Sequence, residues 1–217
     1  MSRTMAKRTP LVAPVRQDRS ARTQRKLIAA AQALLSSRAP HTITTQDVAT
    51  KAGLSVGIVY RRFADKEALF ETAFAHHFAE RTRARDVLLA ELSTTNASLP
   101  QTVRAIVENL TTEDRRHRVF LQSYLTFVAT AQPPARKRLE RRNAAAFEAI
   151  VASLDAAASK HAAARASSRA RFAVTIVAHT LRGLVVLEQH SSPTGVALTD
   201  RELIENLTLA TVAYLNA

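Results

Sequence analysis

The chain has no cysteine and only four glycines, and 5% of its 217 residues are aromatic. Without cysteine there is no disulfide framework, no thiolate zinc site and no cysteine nucleophile, which agrees with a reducing compartment. So few glycines leave no Gly-rich phosphate loop, and no nucleophile elbow or Ser/His/Asp set can be placed. Histidine spacing is equally unhelpful to a metal: His76 and His77 are adjacent and diverge on a helix, His179 and His190 are far apart, and His41 falls in a loop. No enzyme activity, metal or cofactor is therefore expected. Long apolar runs are missing too. The most apolar stretch, Phe172 to Leu187, is broken by Thr175, His179, Thr180 and Arg182 and is too short to span a bilayer. Met1 to Arg16 is basic but has no apolar h-region, so a cytoplasmic protein is expected, with no membrane partner.

Acidic residues are also scarce. Against 18 Asp+Glu stand 31 Lys+Arg, a net charge of +13. Residues 1–77 carry 13 basic and 5 acidic side chains, so more than half of the excess lies in about a third of the chain. That is the footprint of a phosphate-binding surface, although a solvated basic surface in an Arg-rich chain would look similar. With 47% hydrophobic residues the chain can bury a core of one or two domains.

Residues 43–63, Ile-Thr-Thr-Gln-Asp-Val-Ala-Thr-Lys-Ala-Gly-Leu-Ser-Val-Gly-Ile-Val-Tyr-Arg-Arg-Phe, predict two short helices joined at a glycine. Thr44 with Asp47 forms a capping box, and Ile43 staples against Val48. Gly53 suits the left-handed position after a helix C-terminus. Ser55 caps the second helix, with Leu54 and Val59 as its staple. This is the helix-turn-helix pattern that reads DNA.

The pattern Thr44-Thr45-x-x-Val48-Ala49-x-x-Ala52-Gly53-x-Ser55-x-Gly57-x-x-Tyr60-x-x-Phe63-x-x-Lys66-Glu67-x-Leu69 resembles the signature of TetR-type (tetracycline-repressor-like) transcriptional regulators. The resemblance is gapless and covers roughly residues 18 to 70. It departs at Ile58, where many members carry a small hydroxyl residue, and at Val56, often polar in the family. Apolar contact with thymine methyls is the reading for those two positions. For DNA binding the resemblance and the helix pattern single out Thr44, Thr45, Ser55, Val56, Gly57, Tyr60, Arg61 and Lys66. Arg61, Lys66 and Thr44 are expected to meet phosphates, and Phe63 to anchor the core of the head.

Helical periodicity continues throughout the chain and no strand is expected. Residues 1–17, with Arg3, Lys7, Arg8, Arg16, Pro10 and Pro14, read as a flexible basic arm, able to enter a minor groove or simply solvated. A first helix is predicted from about Arg19 to Ser37, and a long one from Lys66 behind an Ala64-Asp65 cap. Further helices are predicted near 98–110, 113–132, 134–163, 168–190 and 199–216, the last capped by Thr199 with Glu202, and Ser191 to Gly195 as a loop. The expectation is thus an all-α chain of about nine helices: a basic arm, a three-helix head over 18–64, and a helical effector-binding and dimerisation domain over 65–217.

The apolar residues of 172–187 point in nearly every direction, so one side of that helix is expected to meet a second subunit together with Leu203, Ile204, Leu207, Ala210 and Tyr214. A central helix in a monomer would show the same pattern. The family resemblance also implies a dimer through the two C-terminal helices. Phe120, Tyr124 and Phe127 recur along one helix, and Phe147, His179 and Arg182 lie on helices expected to face it; together they are candidates to line a small-molecule cavity. Each aromatic read alone suits an ordinary core. The function expected is a DNA-binding regulator, a homodimeric repressor that releases a palindromic operator when an effector binds. The alternatives are a basic helical DNA-binding protein without sensing, or a helical enzyme with a vestigial head.

Overall fold

A computed structural model describes residues 14–158, 163–187 and 198–217. Among the described residues there are nine α-helices and no strand. They are α1 (Pro14–Leu35), α2 (Thr45–Ala52), α3 (Val56–Arg62), α4 (Lys66–Thr94), α5 (Leu99–Arg116), α6 (Arg118–Thr130), α7 (Pro133–Ala158), α8 (Ala163–Leu181) and α9 (Asp200–Asn216), with a 3₁₀ turn at Pro40–Thr42 and a π-helical segment, Arg182–Val186, continuing α8.

The helix α1 starts at Pro14, five residues before the expected start, so residues 14–17 belong to a first turn rather than to the arm. Proline is well suited to open a helix because the amide it lacks would have no partner there. The rest of the expected arm lies outside the described residues, as do the predicted loop Ser191 to Gly195 and the last residues expected in the seventh helix. The boundary between α5 and α6 also falls later than the pattern suggested. Thr111 is buried in a continuing helix, because its hydroxyl donates to the Val107 carbonyl at 2.7 Å and leaves no open polar group. The break comes at His117.

Local chemistry sets the helix-turn-helix. The hydroxyl of Thr44 accepts from the Asp47 amide at 3.1 Å, and the Asp47 carboxylate accepts from the Thr44 amide at 2.9 Å, which closes the capping box. These bonds, with Arg38 nearby, hold the Asp47 carboxyl below its ordinary value. Gly53 sits at φ 66, ψ 39, and the Leu54 amide donates back to the Ala49 carbonyl at 2.9 Å, a Schellman-type ending. Ser55 is the N-cap of α3 but makes no side-chain cap bond, contrary to expectation; Leu54 and Val59 seat that helix in the core instead.

A Cβ added at Gly53 would meet nothing within 4 Å, so the cost of a larger residue there is set by the backbone alone. Gly53→Val is expected to lower stability by about 2 kcal/mol, since a β-branched residue resists the left-handed region, and Gly53→Asn by clearly less. Urea unfolding of both variants checks the order. Equal losses would mean that the left-handed conformation is not what this position demands.

Two packed cores result. The first joins Leu27, Ile28, Ala31 and Leu35 of α1, Ile43, Val48, Val59 and Phe63 to Leu69, Phe70, Ala73 and Phe74 of α4, and extends to Phe120, Tyr124 and Phe127 of α6. The second is built by the distal part of α4 with α5, α7, α8 and α9, around Val103, Ile106, Ile150, Leu154, Val177, Leu181 and Leu203. The helix α4, 29 residues and about 44 Å long, contributes to both. Side chains also tie it to its neighbours: Gln32 Nε2 of α1 donates to the Ala73 carbonyl at 3.1 Å, and Arg138 of α7 forms a two-pronged ion pair with Glu71 at 2.6 Å.

Candidate nucleic-acid interface and ligand cavity

The helix α3 buries Val59 and leaves Gly57, Tyr60 and Arg61 exposed, with Val56 and Ile58 only partly covered. Tyr60 is 58% exposed, unusual for a ring on a seven-residue helix whose other face is core. Its hydroxyl lies 3.0 Å from Thr45 Oγ1, so one hydrogen bond holds the phenol across the mouth of the turn. A Cβ at Gly57 would have nothing within 4 Å. Packing therefore does not require glycine here, and its presence costs helix stability. The absent side chain instead leaves room for something outside the chain to approach the backbone.

The exposed cations of the head include Arg22, Arg25 and Lys26 on α1, Lys51 on α2 and Arg61 on α3. Arg62 is engaged elsewhere, donating to Ser20 Oγ of α1 at 2.6 Å. Lys66 is half-buried at the start of α4, with its ammonium 5.8 Å from the centre of the Phe70 ring. The hydroxyl proton of Thr44 is taken by Asp47 Oδ2 at 2.9 Å, which ranks Thr44 below Arg61 as a phosphate donor. Val56, Gly57, Tyr60 and Arg61 thus lie on α3 with Ser55 at its N-cap, and the Tyr60 hydroxyl brings Thr45 of α2 beside them.

Behind the head, a partly open cavity of about 80 Å³ lies between α4, α5, α6, α7 and α8. Of the residues expected to line it, Tyr124, Phe147 and Arg182 do. Phe120 and Phe127 do not: they pack on Phe74, at ring distances of 5.1 and 5.3 Å, as part of the first core. His179 does not either. It is exposed on α8, with Nδ1 2.8 Å from the Thr175 carbonyl of its own helix, because the cavity side of α8 is formed by Ala178, Leu181 and Arg182.

The reading of the sequence missed Arg81, Arg85 and Asn143. The signal was present, since Arg81 and Arg85 continue the apolar stripe Phe70, Phe74, Phe78 and Leu89 on α4, where a solvated arginine would not be expected. Arg81 is paired with Asp114 at 2.8 Å. Asn143 Nδ2 donates to the Tyr124 hydroxyl at 2.7 Å, and burial pushes that phenol above its ordinary value, so it keeps its proton.

A cleft on the other side of Arg81 and Arg85 is lined by His77, Glu80, Glu113 and His117. Burial, with His117 and Arg81 nearby, lowers His77 to about 3, which keeps it neutral at physiological pH. Among the described residues no group of three His, Asp or Glu is placed to hold a metal, and no helix is long and apolar enough to cross a membrane.

Residues 27–73, the segment that folds into this head, match the family model for bacterial regulatory proteins of the tetR family. The chain carries a TetR-family DNA-binding domain. The TetR-type fold extends over the remainder as well. A structure described as a TetR-family transcriptional regulator from Mesorhizobium loti superposes with a TM-score of 0.67 at 21% identity, covering 91% of this chain and 96% of that one. A transcriptional regulator from Pseudomonas aeruginosa PAO1 gives 0.68 at 19% identity over 93% and 95%. The transcriptional regulator FadR from Bacillus subtilis, solved with stearoyl-CoA, gives 0.57 at 14% over 89% and 97%. No curated protein matches the chain in sequence.

Proposed function

We propose that this TetR-family DNA-binding regulator works as a homodimeric repressor that holds a near-palindromic operator and releases it when a small molecule enters the cavity. One observation carries the sensing part: α4 packs Phe70 and Phe74 into the core of the head and, about one to four turns further on, presents Phe78, Arg81, Thr82 and Arg85 to the cavity. A ligand that favours a different seat for α4 therefore acts directly on the base of the head, and it lowers DNA affinity by the difference in its affinity for the two arrangements. FadR, of similar fold, was solved with an organic ligand, which supports a ligand-binding role for the helical part.

The dimer reading rests on the face left open by α8 and α9. Phe172 and Ile176 are 54% and 47% exposed, and Phe172 stacks at 5.4 Å on Tyr214, itself 39% exposed. A second copy presenting the same face would cover them by two-fold symmetry. The expected contribution of Leu203, Ile204 and Leu207 is revised, because Leu203 is buried against the chain's own core and the other two pack on its edge. In a dimer, two α3 helices would enter successive major-groove faces, with Val56, Gly57 and Tyr60 toward base edges and Arg61 and Lys66 toward phosphates.

Arg61→Ala tests the DNA surface. It is expected to weaken binding to all duplexes alike and to reduce the slope of log affinity against log salt by about one unit per protomer, since one phosphate contact is lost. Fluorescence anisotropy on an operator selected from random duplexes, at several salt concentrations, measures it. An unchanged slope removes Arg61 from the phosphate contacts.

A further inference from the structure

The cavity wall contains more positive charge than it neutralises. Arg81 is satisfied by Asp114 at 2.8 Å, with Glu113 at 3.9 Å. Arg85 is not. It is 91% buried, counting from its 9% exposure, and makes no ion pair with a carboxylate among the described residues. Its Nη2 donates to the Ala146 carbonyl of α7 at 2.7 Å, which fixes the guanidinium, while its Nε is buried with no hydrogen-bond partner. Across the same cavity Arg182 stands at the first position of the π-helical segment, where the Leu187 amide donates to its carbonyl at 3.0 Å. That segment is tied to α6 by Gln122, whose Nε2 donates to the Val186 carbonyl at 2.7 Å. Arg182 also has no ion-pair partner among the described residues, and it lies close enough to the Tyr124 phenol for its charge to act on it. The Tyr124 oxygen already accepts from Asn143, so its proton is free to be donated.

A buried cation without an ion pair is costly to fold around even with the Asp86 charge next to it in the chain, and a buried N–H without an acceptor adds to that cost. Two guanidinium groups and a phenol donor line one cavity together with Phe78, Leu110, Leu121 and Phe147, a lining that combines charged and donor groups with an apolar remainder. We infer that the ligand of this cavity is an organic carboxylate with an apolar body, its carboxylate held by Arg85, Arg182 and Tyr124. This deepens the sensing role proposed above and rests on it. An apolar body alone would leave Arg85 unpaired, and an organic cation would add a third charge of the same sign.

The test uses the full chain and two matched series: octanoate against 1-octanol, and 3-phenylpropanoate against 3-phenylpropan-1-ol and 3-phenylpropan-1-amine. By isothermal titration calorimetry the carboxylate of at least one series is expected to bind tenfold or more tighter than its alcohol, with the amine weakest. Arg85→Met is expected to erase that preference and Arg85→Lys to retain part of it. Because Arg85 is buried, Arg182→Gln at the partly exposed position serves as the second variant and should reduce the preference several-fold, with thermal unfolding showing that it is folded. Alcohols binding as tightly as carboxylates, no binding by either carboxylate, or a preference that survives both substitutions would overturn the assignment. Operator anisotropy separates this from the sensing role. If the carboxylate binds with the stated preference and operator affinity does not move, the anion site stands and the sensing role falls.

Discussion

Phe74→Ala is expected to lower folding stability by about 3–5 kcal/mol, among the largest losses available to a single substitution in this chain. Phe74 has no exposed surface, and its ring meets Phe120, Tyr124 and Phe127 at 5.1, 5.4 and 5.3 Å. Truncation removes the buried area of the ring and three aromatic contacts, and it opens a void that helices from four parts of the chain cannot readily close. The functional consequence follows from where those contacts lie. They join the core under the DNA-reading helix to α6, so the variant should loosen the head and α6 together, and operator affinity and unfolding midpoint should fall in parallel. Urea unfolding followed by far-ultraviolet circular dichroism and by tyrosine fluorescence measures this. With Tyr60 and Tyr214 replaced by Phe so that Tyr124 alone reports, a head that melts separately while the Tyr124 signal keeps its midpoint would make the two independent units, and α4 would not transmit strain between them.

The second large effect concerns assembly. Phe172→Glu combined with Ile176→Glu is expected to convert the protein to monomers by sedimentation and to weaken operator binding by about a hundredfold or more, because two linked heads gain an effective concentration that separate heads lack. Both side chains are already about half exposed in one protomer, so their replacement should leave the fold intact. Leu207→Glu is the instructive contrast, since Leu207 packs on the chain's own core and a charge there should destabilise the protomer rather than merely separate two. A monomeric Phe172/Ile176 variant that keeps full operator affinity would remove the dimer from the mechanism.

The elements legible in the sequence were those specified by neighbours in the chain. Thr44 with Asp47, Gly53, Asp65 and Thr199 with Glu202 each satisfy backbone groups within a turn, and the structure places each where the local pattern put it. The start of α1 was misread because basic residues and two prolines look like a tail, whereas a proline can open a helix as readily as it can end one. Aromatic spacing on α6 was read correctly as one face, but spacing cannot say which neighbour that face will meet.

That distinction runs through the whole protein. The helical class, the turn that reads DNA and the basic bias of the head follow from the sequence, because capping, left-handed glycine and charge act over a few residues or none at all. Only the tertiary structure decided that Phe120 and Phe127 serve the core under the head while Tyr124, one turn away on the same helix, faces a cavity. It also decided that His179 turns outward, that Leu203 faces inward, and that Arg81 and Arg85, seven to eleven residues beyond Phe74, line a cavity wall. Helical periodicity determines which residues share a face. What covers that face depends on the crossing of helices far apart in the chain, and for Arg85 that crossing supplies a carbonyl from α7 but no carboxylate.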